Sequence, residues 1–89
     1  AAQVLCTLSA WESEDYCRNR LGLDAALGRI DPAKINPLGS SLATGHPFAA
    51  TGARIIGTVA KELAARGGGR ALVSICTAGG MGVVAILER

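Results

Sequence analysis

Aromatic side chains are almost absent from this 89-residue chain, which has one Phe, one Tyr and one Trp. Single-stranded nucleic acids are held by aromatic faces and by an excess of cations. The net charge here is only +2, with acidic and basic residues mixed, so no nucleic-acid partner is predicted. No run of eighteen apolar residues occurs, so no membrane span is predicted either.

Cysteine and histidine are also scarce, with three Cys and one His. Cys6, Cys17 and Cys76 form an odd set without CxxC spacing, which favours neither a disulfide framework nor a zinc site. The first residues lack the basic segment and cleavage site of a secretory signal. These absences favour a reducing, cytoplasmic compartment.

The apolar content is 49% and mainly aliphatic, which suits packed layers of helix and sheet. A helix is favoured over a strand for residues 1–11, and Ser13 is predicted to cap a second helix that Gly22 stops. Further along, the pattern predicts a turn of helix over 24–30 and a short strand or extended loop over 35–43.

The best-defined element is a helix with Pro47 at its first position and a glycine run from Gly67 at its end. Two strands follow, at 70–76 and 83–87, and both are apolar on each face, as in strands covered by helices on both sides. The connection between them is too short for a crossover, so they are predicted to pair antiparallel. The chain is too short to cover them, so we expect it to be a piece of a larger α/β protein.

His46 lies where the chain enters the long helix, between Gly45 and Pro47. The helix dipole disfavours a second positive charge there, so a neutral imidazole that can donate from one nitrogen to a ligand oxygen is expected. A histidine that only caps the helix or packs against it is the alternative. The flanking Gly45 favours a functional role, because glycine lets a ligand approach the backbone closely.

Cys76 ends a predicted buried strand, and ligands collect at strand ends in helix–sheet folds. A free thiol there can act as an acid or a base. The alternative is an inert core residue, since unpaired cysteine is often buried. The small residues from Ala78 to Gly82 leave backbone N–H groups able to line an oxyanion hole.

Two stretches resemble the thiolase family. Residues 36–54, Asn-Pro-Leu-Gly-Ser-Ser-Leu-Ala-Thr-Gly-His-Pro-Phe-Ala-Ala-Thr-Gly-Ala-Arg, are similar to its Gly-His-Pro motif. Residues 76–82, Cys-Thr-Ala-Gly-Gly-Met-Gly, are similar to its terminal cysteine–glycine motif. The form Phe48-Ala49-Ala50 and the long polar segment before Asn36 resemble the fatty acid β-oxidation branch of the family.

The resemblance implies an αβαβα layered fold, with residues 1–89 as the C-terminal part of the C-terminal domain and the N-terminal half missing. It implies thiolysis of a 3-ketoacyl-CoA by CoA to acetyl-CoA and a shortened acyl-CoA, or the reverse Claisen condensation. Coenzyme A is then a substrate, and no other cofactor is expected. A homo-oligomer, an association with a multifunctional β-oxidation subunit, and a cytoplasmic location (mitochondrial matrix in a eukaryote) are further expectations.

The resemblance also implies residue roles. Cys76 would move the proton at the α-carbon, and His46 would line an oxyanion pocket and help to activate a nucleophilic cysteine. The N–H of Ala78 would contribute to a second oxyanion hole, and Gly45 would let the substrate pass close to the backbone.

The chain departs from the family pattern at several points. Ser40 and Ala78 replace common glycines, and neither Cys6 nor Cys17 matches the motif of the nucleophilic cysteine. A ketoacyl-synthase relative is one alternative, although Cys76 counts against it because those enzymes need no thiol in the final turn. A non-catalytic thiolase-like binding or assembly module, or an independent interaction domain, are others.

Overall fold

The chain forms two compact units, Ala1–Gly39 and Ser40–Arg89. The structure is a computed structural model that describes residues 1–89. None of its helices combines the length and the apolar character needed to cross a bilayer. The elements are α1 (Ala2–Glu12), α2 (Glu14–Asn19), a 3₁₀ turn (Pro32–Lys34), α3 (Ser41–Thr44), α4 (Phe48–Ala65), β1 (Arg70–Cys76) and β2 (Gly82–Glu88).

The first unit is built on α1 and α2, and the helix favoured for the start of the chain is confirmed. Ser13 caps α2 as predicted, because its hydroxyl accepts a hydrogen bond from the Tyr16 N–H at 3.2 Å. The helix ends at Asn19, before the predicted stop at Gly22. Cys17 is fully buried between the two helices, so it is a core residue.

The turn of helix predicted over 24–30 is wrong, because these residues form no helix. The backbone N–H of Leu23 donates to the Cys17 carbonyl, and that of Gly28 donates to the Trp11 carbonyl, both at 3.0 Å. These backbone N–H groups therefore bond to carbonyls near the ends of α1 and α2, and do not form the bonds to residues four positions earlier that a helix needs.

The strand or extended loop predicted over 35–43 is also wrong. Asn36 and Gly39 both have positive φ, at 47° and 79°, and the Gly39 N–H donates to the Asn36 carbonyl at 2.8 Å. These left-handed residues close a turn, since extended backbone requires negative φ. The short helix α3 begins two residues after that turn, at Ser41.

Helix α4 is the longest element, and both of its ends follow from the sequence. Pro47, with φ −70°, is the N-cap of α4, whereas the sequence predicted it at the first helical position. The helix therefore begins one residue later than predicted. At the other end, Gly67 has φ 80° and its N–H donates to the Ala64 carbonyl, while the Gly68 N–H donates to the Leu63 carbonyl. This pair of bonds is a Schellman motif, which confirms that the glycine run stops the helix.

Strands β1 and β2 pair antiparallel, as predicted, from Arg70 opposite Glu88 to Cys76 opposite Gly82. Helix α4 packs on one face of this two-stranded sheet. Leu63 of α4 and Val73 of β1 are the buried apolar side chains of the second unit. The second unit is therefore a helix lying on a hairpin, a small α/β arrangement.

The opposite face of the sheet is bare in this chain. Leu72, Val84 and Ile86 lie on that face and are 57%, 62% and 68% exposed. The second unit covers one face of the sheet with α4 and leaves the other bare, which agrees with the prediction that the chain is too short to cover both faces of its strands. Burying such a side chain fully stabilises a fold by roughly 1.5–3 kcal/mol, so this face leaves stabilisation unrealised.

Two leucines on opposite sides of this layer test the packing. Leu63→Ala is expected to destabilise the chain by about 2–4 kcal/mol, because it empties a buried site between α4 and β1. Leu72→Ala, on the bare face, should cost less than about 1 kcal/mol. Urea unfolding followed by circular dichroism measures both. Equal losses from the two variants would contradict the assignment of the core.

Candidate active site

His46 and Cys76, 30 residues apart in the chain, meet through their side chains. The Cys76 sulfur lies 3.4 Å from Nε2 of the His46 ring. Both residues were predicted to carry chemistry, and the structure brings them together. An imidazole beside a thiol is an arrangement in which a proton can pass between nitrogen and sulfur.

The packing of α4 on β1 creates this contact. Gly52, in the second turn of α4, faces the end of β1, since a Cβ built on it would lie 3.5 Å from the Ile75 side chain. The start of the helix therefore sits beside the last residues of the strand. His46 precedes the helix by two residues and Cys76 ends the strand, so both side chains are delivered to the same place.

Gly45 sets the direction in which the chain enters the site. It caps α3 with φ 86° and ψ 177°, a region of backbone space that is essentially restricted to glycine. Its N–H donates to the Ser41 carbonyl at 2.8 Å, which closes α3 just before His46. The backbone geometry therefore favours glycine at position 45 for a reason that the sequence did not indicate. The predicted role of Gly45 beside a substrate stays a prediction.

The other contacts of the His46 ring are to neutral groups. Nδ1 lies 2.8 Å from the Thr51 hydroxyl oxygen, and Nε2 lies 3.2 Å from the Cys76 carbonyl oxygen. The edge of the ring also packs against Phe48, with the ring centroids 5.5 Å apart. The imidazole is therefore held on both nitrogens and on one edge.

The Cys76 carbonyl is available to the ring because of the strand register. Gly69 and Arg89 form two backbone hydrogen bonds with each other, at 2.9 and 3.0 Å. In an antiparallel ladder, hydrogen-bonded and non-hydrogen-bonded residue pairs alternate from such a pair onward. Cys76 and Gly82 fall at a pair that is not hydrogen-bonded. The Cys76 carbonyl consequently points away from β2.

The turn that follows Cys76 holds Ala78. The Thr77 N–H donates to the Met81 carbonyl and the Met81 N–H donates to the Ala78 carbonyl. Ala78 itself has φ 64°, a left-handed conformation that is unusual for a residue with a Cβ. The backbone N–H groups of residues 78–80 donate to no group in the chain. Ala78 forms no hydrogen bond with His46 or Cys76, and its predicted oxyanion role stays a prediction.

The site is open. His46 is half-buried and Cys76 is exposed, so the pair is accessible from solvent. A cavity of about 220 Å³ lies at the other end of the α4–sheet layer, lined by Ala60, Leu63, Leu87, Glu88 and Arg89. It does not involve the His46–Cys76 pair. No cluster of three or more His, Cys, Asp or Glu residues is placed to hold a metal ion.

The sequence reasoning missed Thr51, which is 1% exposed and contacts the His46 ring. A hydroxyl residue one helical turn after Pro47, on the face that also carries Ile55, would have signalled a buried polar contact. Arg54, for which the sequence favours a solvent-facing role over a ligand role, instead ties α4 to α3, because its guanidinium donates to the Ser41 hydroxyl at 2.9 Å.

The chain was compared with known proteins. The family model described as thiolase, C-terminal domain, matches residues 2–89. The 3-ketoacyl-CoA thiolase of Pectobacterium atrosepticum is 53% identical over 88 residues, which are 99% of this chain and 20% of that protein. The enzymes of the same name from Shewanella baltica and Photorhabdus laumondii are 51% and 50% identical over the same lengths.

These matches cover nearly every residue of the chain, including both motifs and the site between them. The chain belongs to the thiolase family and corresponds to its C-terminal domain model. It spans about a fifth of the length of the curated relatives that it matches. The resemblance read from the sequence is therefore confirmed at the level of the family.

Two glycine positions test the backbone geometry of the site. Gly45→Ala is expected to destabilise the chain by about 1–3 kcal/mol, because alanine is strained at this φ and ψ although space for a Cβ is open. Gly57→Ala, within α4 and also with open space, should stabilise it by about 0.5–1 kcal/mol. Urea unfolding compares the two, and a Gly45→Ala chain as stable as the parent would contradict the strain.

Proposed function

We propose that this chain is the C-terminal part of a 3-ketoacyl-CoA thiolase, an acetyl-CoA C-acyltransferase. The reaction is thiolysis of a 3-ketoacyl-CoA by CoA to acetyl-CoA and a shortened acyl-CoA, or its Claisen reverse. The observation that carries the proposal is the 3.4 Å contact between the Cys76 sulfur and the His46 ring, which joins the two motifs. The names of the matched relatives support the same reaction.

In this proposal Cys76 acts as the acid and base at the α-carbon. When the bond between C2 and C3 of the 3-ketoacyl chain breaks, its electron pair remains on the acetyl-CoA fragment as an enolate. The Cys76 thiol gives its proton to C2, which yields acetyl-CoA and a thiolate. The exposure of Cys76 at a strand end leaves room for this carbon to reach the sulfur.

His46 and Ala78 stabilise negative charge on thioester oxygens in this scheme. Once Nε2 of His46 has taken a proton, its N–H donates to one oxygen, and the unpaired N–H of Ala78 donates to the other. Gly45 keeps the backbone free of a Cβ where the substrate passes. The acyl group is carried by a nucleophilic cysteine outside this chain, since neither Cys6 nor Cys17 matches the motif of that cysteine and Cys17 is also buried.

The rest of the proposed enzyme completes the fold as an αβαβα layered structure. The bare face with Leu72, Val84 and Ile86 supports this, because it is an apolar sheet surface without a covering layer. CoA and acyl-CoA are the proposed ligands, with CoA as substrate and no further cofactor. A homo-oligomer, a multifunctional β-oxidation subunit as partner, and a cytoplasmic or mitochondrial-matrix location complete the proposal.

A hybrid enzyme tests this function. It is the 3-ketoacyl-CoA thiolase of Pectobacterium atrosepticum with its matching 88 residues replaced by those of this chain. We expect the hybrid to cleave a 3-ketoacyl-CoA with CoA. Cys76→Ala should lower turnover by about 10²- to 10⁴-fold, because the proton donor at C2 is lost. Acylation of the nucleophile by an acyl-CoA should persist, and mass spectrometry of the intact protein detects it.

Cys6→Ala is the matched control, since Cys6 is an exposed thiol on α1 and lies in the other compact unit. It should leave turnover unchanged. Normal turnover of the Cys76→Ala hybrid would show that Cys76 does not have this role. A folded hybrid with neither turnover nor an acyl adduct would instead favour a non-catalytic binding module.

A further inference from the structure

Thr51 is the buried polar residue of the chain, and its hydroxyl sits between two groups. The oxygen lies 2.9 Å from the Pro47 carbonyl, one helical turn earlier, and 2.8 Å from Nδ1 of His46. With 1% of its surface exposed, Thr51 has no access to solvent water. Its single hydroxyl hydrogen must therefore go to one of these two acceptors.

Two hydrogen arrangements are possible around the ring. In the first, Thr51 donates to the Pro47 carbonyl and accepts from Nδ1–H, which leaves Nε2 bare to accept from the Cys76 thiol. In the second, Thr51 donates to Nδ1, and one hydrogen on Nε2 must serve both the sulfur at 3.4 Å and the Cys76 carbonyl at 3.2 Å.

The first arrangement uses the contacts more fully. In it, three contacts are hydrogen bonds, each with its own hydrogen. The Thr51 hydroxyl donates to the Pro47 carbonyl, Nδ1–H of His46 donates to the Thr51 oxygen, and the Cys76 thiol donates to Nε2. The Cys76 carbonyl left over is on an exposed residue, so water can satisfy it. The second arrangement leaves the thiol hydrogen without a partner and gives up the Thr51 hydroxyl bond to the Pro47 carbonyl, which then keeps only its backbone bonds from Ala50 and Thr51.

We infer that Thr51 is a positioning residue that keeps the hydrogen on Nδ1 of His46 and so presents a bare Nε2 to the Cys76 thiol. In the condensation direction Nε2 takes the thiol proton, so the ring becomes an imidazolium and the sulfur becomes the thiolate that removes the proton from C2. In thiolysis the same transfers run in reverse, and the imidazolium returns a proton to the thiolate. The Nδ1–H bond to the Thr51 oxygen persists and is strengthened by the positive charge. The hydroxyl therefore favours the proton transfer without touching the substrate.

The kinetic consequence rests on the proposed function, whereas the ring tautomer does not. Thr51→Val keeps the branched shape and removes the hydroxyl, while Thr51→Ser keeps the hydroxyl and removes a methyl group. In the hybrid enzyme defined above, Thr51→Val should lower kcat by about 10- to 100-fold with little change in KM. Thr51→Ser should restore most of kcat.

Thr58→Val is the matched control. Thr58 lies in the same helix and its hydroxyl donates to the Arg54 carbonyl at 2.9 Å, the same one-turn bond that Thr51 makes to Pro47. It does not contact His46, so kcat should stay unchanged. A role of Thr51 in packing alone predicts the reverse order, with Thr51→Val more active than Thr51→Ser, and would overturn the inference.

A second measurement does not depend on activity. His46 is the one histidine of the 89-residue chain, so ¹⁵N spectra of the labelled ring need no assignment. With α4 formed, as judged by circular dichroism, Nδ1 should be the protonated nitrogen, and Thr51→Val should shift the ring toward protonation at Nε2. Protonation at Nε2 in the unmodified folded chain would overturn the inference.

The two readouts separate this inference from the proposed function. An inactive hybrid together with a Thr51-dependent tautomer would remove the function and keep the inference. Suppose instead that the hybrid is active and that Thr51→Val changes its kcat by less than about twofold. That change is well below the loss expected for such a hydrogen bond, so it would keep the function and remove the inference.

Discussion

The packing of α4 against β1 is the constraint on which the site depends. Leu63 and Val73 are buried between the two elements, and removing their apolar surface from water holds the helix on the strand. The start of α4 then lies beside the end of β1, where Gly52 faces Ile75. A contact between a histidine and a cysteine 30 positions apart thus follows from ordinary core packing.

The same layer also explains why the chain resembles part of an enzyme. One face of the hairpin is covered by α4, while the other carries exposed apolar side chains. The His46–Cys76 pair is open to solvent, and the cavity lined by Ala60 and Leu63 lies away from it. In the proposed complete enzyme, the residues that cover the bare face and those that wall the substrate pocket both belong to the rest of the protein.

The sequence predicted correctly those parts of the fold that depend on residues adjacent in the chain. Ser13 as a cap, the glycine stop at Gly67 and the antiparallel hairpin all follow from a few adjacent residues. The predictions for residues 24–30 and 35–43 were wrong. In the first segment, backbone hydrogen bonds to carbonyls of α1 and α2 replace those of a helix, and in the second, residues with positive φ close a turn. These interactions override the local helix or strand propensity. Of the site, His46 and Cys76 were found from their motifs. Thr51 was not, since its importance lies in a contact across the start of a helix.

The central claim is that the His46 ring and the Cys76 side chain are in contact. A nuclear Overhauser measurement on the folded chain tests it directly, because the ring of the one histidine gives isolated proton signals. A cross-peak is expected between the His46 ring protons and the Cys76 β-protons, alongside cross-peaks between Leu63 and Val73. Core cross-peaks without the His46–Cys76 cross-peak would contradict it.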